Sequence, residues 1–204
     1  MKNSMARLGV FSALAMMVLQ APAYAHHVMG GRMPETWFQG LLSGLAHPVI
    51  GVDHLAALVG VGVVVALARG GALPVVAFSA ALIAGVGVHL ARLDVPGIEL
   101  IVGFTTVLLG IVVVARLTVR PPLLVSLFVL AGVAHGYALG ESIVGSEPSP
   151  LIAYLVGILI VQTMVSLAAY FVARRLEKVL TVVVGAIVIL VGSVAAALAA
   201  GVAF

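Results

Sequence analysis

Three ionisable side chains stand close together in an otherwise apolar stretch. His47, a gap of five residues, then Asp53 and His54 occur within GLAHPVIGVDHLAALVG. Imidazole nitrogen with carboxylate oxygen is a donor set for divalent first-row metals such as Ni²⁺, Co²⁺, Zn²⁺ or Cu²⁺. In hydrocarbon such groups are costly, so they face a protein interior or a water-filled path and carry function there. A related pattern, GVAHGYALGE, supplies His135 and Glu141 later in the chain, and His89 lies in the small-residue stretch GVGVHLA. Together they describe a polar pathway through a membrane protein, with metal-ligand chemistry on its walls.

Spacing adds detail. Seven residues at about 100° each leave His47 and His54 within about 20° of one another on an unbroken helix. Asp53 would then point elsewhere, and it could orient an imidazole by accepting its second ring N–H. Plainer roles exist for two of the outliers: His89 as an interhelical hydrogen bonder, and Glu141 as the cap of its helix. The Asp53–His54 pair is harder to dismiss, because burying a carboxylate without purpose is expensive. Most of the 23 glycines read as packing devices that let helices approach closely.

The elements that must position these residues follow from composition. Hydrophobic residues make up 63% of the chain and charged ones 8%, with a mean hydropathy of +1.30. A soluble domain carries about a quarter charged residues, so this is an integral membrane protein with little room for a soluble domain. Ten Lys and Arg against seven Asp and Glu give a formal charge of +3. In a membrane chain that excess records orientation, not nucleic-acid binding. Cysteine is absent, which removes disulfides, thiolate nucleophiles and thiolate metal sites together.

At the N-terminus, Lys2 and Arg7 precede the apolar run Leu8 to Leu19 and the small-residue string Ala21-Pro22-Ala23-Tyr24-Ala25. This reads as a cleavable secretory signal peptide over residues 1–25, cut most simply after Ala25. An uncleaved signal anchor is the alternative. Cleavage would leave an exterior segment, residues 26–36, that begins His26-His27-Val28-Met29. A free amine beside two imidazoles, with Met29 and Met33 nearby, could capture a late first-row metal. A short tail without that role is the competing reading, and cleavage after Ala23 would place a histidine third.

Residues 37–204 read as an all-α transmembrane bundle of six helices. Charge and proline divide it into apolar segments of about Pro48–Ala68, Leu73–Ala91, Gly97–Ala115, Leu123–Gly140, Leu151–Ala173 and Val179–Val202. Apolar character begins already at Trp37, too early for one straight span, and Pro48 with Gly44 and Gly51 offers a break. A cleaved signal puts the mature N-terminus outside. The inner loops then hold Arg69, Arg116, Arg120, Arg174, Arg175 and Lys178, against Arg32 and Arg92 outside. That asymmetry follows the positive-inside rule. Both lines give a topology with N- and C-termini on the outer side, and they gather the histidines and carboxylates toward the outer half.

Aligning the chain on itself at an offset of 88 superposes Gly44 on Gly132, Ala46 on Ala134, His47 on His135 and Asp53 on Glu141. Three spans separate the copies, so they would run in opposite directions, as in 3+3 inverted-repeat transporters with sites at the repeat interface. The match covers only ten residues and leaves the repeat open.

At these residues the chain resembles a known family. The segment His47-Pro48-x-x-Gly51-x-Asp53-His54-x-x-Ala57, the later His135-Gly136-x-Ala138-x-Gly140, the signal peptide and the six spans look like the HupE/UreJ family over essentially the whole mature chain. Its members are associated with hydrogenase and urease gene clusters and regarded as secondary permeases for nickel, sometimes cobalt. The resemblance implies metal handling by His47, Asp53 and His54. The family's second motif has a further histidine after His-Gly-x-Ala, then Gly-x-Glu. Here that histidine is Leu139, and Glu141 follows Gly140 directly. One imidazole is missing and one carboxylate has shifted, which suggests a divergent branch.

The expected function is secondary transport of a divalent transition-metal ion across the bacterial inner membrane. Nickel or cobalt is favoured, and copper or zinc is also compatible. Capture at His26 and His27 would feed a site of His47, Asp53, His54 and His135, assisted by His89 and Glu141, with exit to the cytoplasm. No Walker A motif is present, so energy must come from a gradient, the membrane potential or intracellular trapping. The expected partners are the metal ion and the lipid bilayer, with no nucleic acid and no tightly bound cofactor. A homo-oligomer and metalloenzyme maturation proteins stay open. Two other classes compete: a non-transporting metal sensor or assembly partner, and an intramembrane metalloenzyme. The latter would lack any HExxH motif.

Overall fold

A computed structural model describes residues 32–69 and 71–202. The expected signal peptide, His26 and His27 lie outside these residues. Among the described residues all regular structure is helical: α1 Trp37–Ile50, α2 Val52–Leu67, α3 Leu73–Leu90, α4 Ile98–Val114, α5 Pro121–Gly140, α6 Pro148–Ala173 and α7 Lys178–Ala199. A short 3-10 turn, Glu141–Ile143, follows α5.

Local signals set the ends. Thr36 and Gln39 form a capping box at the start of α1: Thr36 Oγ1 accepts from the Gln39 amide, and Gln39 Oε1 accepts from the amide of Thr36. Proline occupies the first turn of α3, α5 and α6, where its missing N–H is no loss. α2, α3 and α4 stop in the same way. Arg69, Arg92 and Arg116 take left-handed backbone angles, φ 51°, 59° and 51°, just past each last turn. Glycine is the usual residue there; arginine accepts some strain and leaves a cation near the negative end of the helix dipole.

The first apolar stretch breaks, but not at Pro48. Pro48 lies inside α1, and the chain turns three residues later at Gly51, where α1 and α2 meet at a 76° bend. Gly51 is extended, φ −69° and ψ 95°, and its N–H still donates to His47 O at 3.0 Å. Both halves run parallel to α6. Gly40 and Gly44 of α1 approach Pro150 and Tyr154, and Gly62 of α2 approaches Ser166 and Tyr170. Contacts therefore advance along α6 through the break, as for one interrupted crossing.

Two other close pairs complete the frame. α3 runs parallel to α5, with Gly85 against Val133 and Tyr137, and Gly132 and Gly136 against Phe78 and Leu82. α4 runs antiparallel to α7, with Gly103 against Ala196 and Gly110 against Gly185 and Ile189. Where no side chain intervenes, backbones can approach to dispersion distance, which is the main attraction available between helices in lipid. Val61, Val64, Phe78, Leu82, Tyr154 and Ile158 fill the centre. Phe38, Leu130, Met164 and Phe171 instead cover the outside, each more than half exposed. An apolar exterior of this kind suits acyl chains, not water.

Length and composition qualify α3, α5, α6 and α7 as membrane-crossing helices, and the bent α1–α2 pair as a fifth when counted as one. α4 is apolar but 17 residues long. At 1.5 Å per residue it reaches about 26 Å, the lower limit of a bilayer core. Of the six expected spans, at most five are matched by helical units of crossing length, and α4 is shorter.

Candidate functional site

The break at Gly51 does what an unbroken helix could not. On a straight helix, seven residues separate two side chains by about 10 Å along the axis. With the chain bent, the His47 and His54 rings sit with centroids 6.4 Å apart at 64°. His135 on α5 closes in from the other side, its ring 5.3 Å from that of His54. All three are buried, with 3%, 4% and 1% of their surface exposed. Three imidazoles proposed from sequence thus come together from three helices.

Their hydrogen bonds are consistent with one assignment of the ring protons. The Val102 carbonyl can only accept, so Thr105 directs its single hydroxyl proton there, at 2.9 Å. Thr105 Oγ1 must then accept in its 3.0 Å contact with His135 Nε2, which places the His135 proton on Nε2. His135 Nδ1 is left as an acceptor, and the proton in the 3.2 Å bond between the two Nδ1 atoms belongs to His54. A neutral His54 consequently holds its basic lone pair on Nε2. Network logic of this kind is how tautomers are assigned.

His47 follows the same rule through a different partner. Tyr154 donates to Leu139 O at 2.7 Å, which lets its oxygen accept in the looser 3.4 Å contact with His47 Nδ1. Ser142 lies 2.8 Å from the same phenol oxygen. Protonation on Nδ1 puts the ring lone pair of a neutral His47 on Nε2. In both histidines of the broken span, Nδ1 serves structure and Nε2 suits a ligand, the division usual at metal-binding imidazoles.

The remaining candidates behave differently. Asp53 is half-buried in the first turn of α2, where a carboxylate suits the positive end of the helix dipole. A Cβ built on Gly51 would lie 3.4 Å from Asp53 Oδ1 and 3.0 Å from the His54 ring, so the turn is tight around both. His89 packs its ring at 4.4 Å against Tyr137, and its Nδ1 is buried with no hydrogen-bond partner. Tyr137 turns its hydroxyl away, donating to Leu93 O and accepting from Val95 N. Glu141 is exposed on the 3-10 turn. Leu139, which stands where the family motif has a histidine, buries its side chain and offers its carbonyl to Tyr154.

Among the described residues no three His, Asp or Glu side chains converge closely enough to enclose an ion. The imidazoles hold one another and nearby hydroxyls instead.

Sequence reasoning missed Thr105, Ser142 and Tyr154. Each is a lone hydroxyl in an apolar helix or turn, and nothing in its spacing ties it to a distant histidine. The Thr105-Thr106 pair inside VGFTTVLLG was the one available signal, and Thr106 turns out to donate to its own helix at Val102 O.

Comparison with known proteins gives the family. The family model described as HupE / UreJ protein matches residues 14–198, a stretch that reaches into all seven helices. Protein HupE of Rhizobium leguminosarum bv. viciae is 26% identical over 133 residues, covering 64% of this chain and 66% of that protein. The aligned part thus spans just under two thirds of the relative's length. No solved structure matches. With buried imidazoles at a broken apolar helix and a family match over most of its length, this multi-pass membrane protein belongs to the HupE/UreJ family.

Proposed function

We propose that the protein is a secondary permease that carries a divalent transition-metal ion, nickel or cobalt, across the bacterial inner membrane. The observation that carries this reading is the meeting of His47, His54 and His135 at a break in a membrane helix. Broken helices in membranes are tolerated where they line a cavity, and transporters place substrate sites at such breaks. His47 and His54 supply the ligand nitrogens through Nε2, Asp53 balances charge at the start of α2, and His135 holds His54 by its Nδ1. His89 and Glu141 serve on the outer approach, and His26 and His27 capture the ion before it. The family's association with nickel and cobalt transport points to the cargo. The termini lie outside, with the arginine-rich loops in the cytoplasm.

The frame is an inverted repeat, α1–α4 against α5–α7. Reciprocal contacts support it. Across α4 and α7, Gly103 meets Ala196, while Gly185, 82 residues on from Gly103, meets Val114, 82 residues back from Ala196. Gly110 meets Gly185 and Ile189; its counterpart Gly192 meets Gly103 and Val107, the same shift again. His47 and His135 occupy corresponding places: Gly44 approaches Tyr154 and Gly132 approaches Phe78, and those aromatic rings lie 6.2 Å from His47 and 5.9 Å from His135.

The decisive experiment is flux of Ni²⁺ and Co²⁺ into proteoliposomes containing the purified chain. Metal-dependent flux that His47→Ala and His54→Ala abolish at equal reconstitution supports the reading. Binding without flux would transfer the protein to the sensor or assembly class.

A further inference from the structure

Gln162 lies on α6 with none of its surface exposed, and its side-chain amide is only half satisfied. Nε2 donates to the Ser79 carbonyl on α3 at 3.0 Å. That carbonyl can only accept, so the amide orientation is fixed and Oε1 is left as a buried acceptor with no partner. Orphans of this kind are few in folded proteins, and each calls for an explanation such as an ion or water. Hydroxyls of the same helix bond to its neighbours as well. Thr163 Oγ1 donates to Ser79 Oγ at 3.1 Å, and fully buried Ser166 donates to Leu58 O at 3.1 Å.

The position of this patch is informative. Leu58 lies one turn past His54 on α2, and Ser79 directly follows Phe78, the ring in contact with His135. Along α6, Gln162 is eight residues beyond Tyr154, the residue that meets His47. Eight residues amount to about 12 Å of helix. The patch therefore adjoins the histidine pair, two turns farther along the helix that both halves of the broken span follow.

We propose that Gln162 Oε1 is a charge-neutral station for the hydrated divalent cation, the next stop after the histidines. This rests on the transport reading above. An oxygen that can only accept suits a cation or the polarised water around it. Without a formal charge it holds the ion loosely, and conduction needs sites weak enough to leave. There the ion exchanges imidazole for a neutral amide oxygen.

Flux and equilibrium binding of Ni²⁺ by the full chain test this. Gln162→Leu should lower initial Ni²⁺ flux into proteoliposomes by about tenfold while Ni²⁺ affinity in detergent stays within about twofold. Gln162→Glu, nearly the same shape, should tighten Ni²⁺ binding by about tenfold and slow its release. Wild-type flux in Gln162→Leu overturns the inference, as does unchanged Ni²⁺ affinity in Gln162→Glu. So does a loss of flux in Gln162→Leu that goes with equal losses of affinity and thermal stability, because packing then explains it. A wild-type chain that binds Ni²⁺ but carries none overturns the transport reading itself, and this inference with it.

Discussion

In the repeat proposed above His47 and His135 occupy corresponding places, yet their surroundings differ. His47 sits in α1 just before the break, beside the hydroxyl of Tyr154. His135 sits in α5, which continues unbroken to Gly140, and its aromatic neighbour Phe78 offers no hydrogen bond. Two consequences follow. The break brings a second imidazole, His54, next to the first, whereas the unbroken α5 brings only the backbone carbonyl of Leu139 to Tyr154. With no hydroxyl on Phe78, His135 uses both ring nitrogens on Thr105 and His54. On the proposed transport reading, one half presents ligands and the other holds them in place.

Removing a ligand from the broken half should have the largest effect. His54→Ala deletes the nitrogen assigned to the ion and should weaken Ni²⁺ binding by about 100-fold, the upper end of what even supporting residues contribute. Isothermal titration on purified protein measures it. An affinity within threefold of wild type would mean that the broken half is not the ligand half.

The repeat itself can be broken next. Gly110 and Gly192 meet each other's helix in the same way, a built Cβ lying 2.6 Å from Ile189 Cγ1 in one case and 2.8 Å from Val107 N in the other. Gly110→Ala and Gly192→Ala should each destabilise the protein by about 1–3 kcal/mol, as overpacking does. Gly87→Ala, with nothing within 4 Å of its Cβ, should not. Thermal unfolding in detergent reads all three. Clearly unequal losses at the two glycines would show that α4 and α7 are not equivalent.

His135 then tests the division of labour. His135→Asn keeps an oxygen that can accept from His54 Nδ1, while His135→Leu keeps none. The asparagine variant should lose about tenfold in Ni²⁺ affinity, and the leucine variant more, since His54 would be left with a buried unpaired donor. Equal and complete loss in both would make His135 a ligand in its own right.

Much of this arrangement was legible in the sequence, for definite reasons. Charge and proline marked the helices because both are expelled from apolar helix interiors, and the His47, Asp53 and His54 run stood out because ionisable groups are rare there. The break was visible too, offered by Pro48 with Gly44 and Gly51. Pro48 stays inside α1, near its end, and Gly51 with its extended backbone makes the turn. The supporting hydroxyls were not legible: Thr105, Ser142 and Tyr154 acquire their meaning only from residues on other helices. Gln162 escaped for the same reason, since its unpaired oxygen is a property of the packed bundle and not of its neighbours in ILIVQTM.

The smallest effects should come from those supporting hydroxyls, and they discriminate most finely between the halves. Tyr154→Phe removes the acceptor for His47 Nδ1 and the donor to Leu139 O. Thr105→Val removes the acceptor for His135 Nε2 while keeping the shape of the side chain. A single neutral hydrogen bond is worth about 0.5–1.5 kcal/mol, so each variant should weaken Ni²⁺ binding by about two- to tenfold. Tyr154 acts directly on a ligand imidazole, but Thr105 acts through two steps, on His135 and then on His54. Tyr154→Phe should therefore fall at the upper end of that range and Thr105→Val at the lower. Combining Thr105→Val with His135→Asn should add nothing, because the asparagine has already lost the nitrogen that Thr105 holds. Full additivity in that pair, measured by the same titration, would mean that Thr105 reaches the ion by a route other than His135.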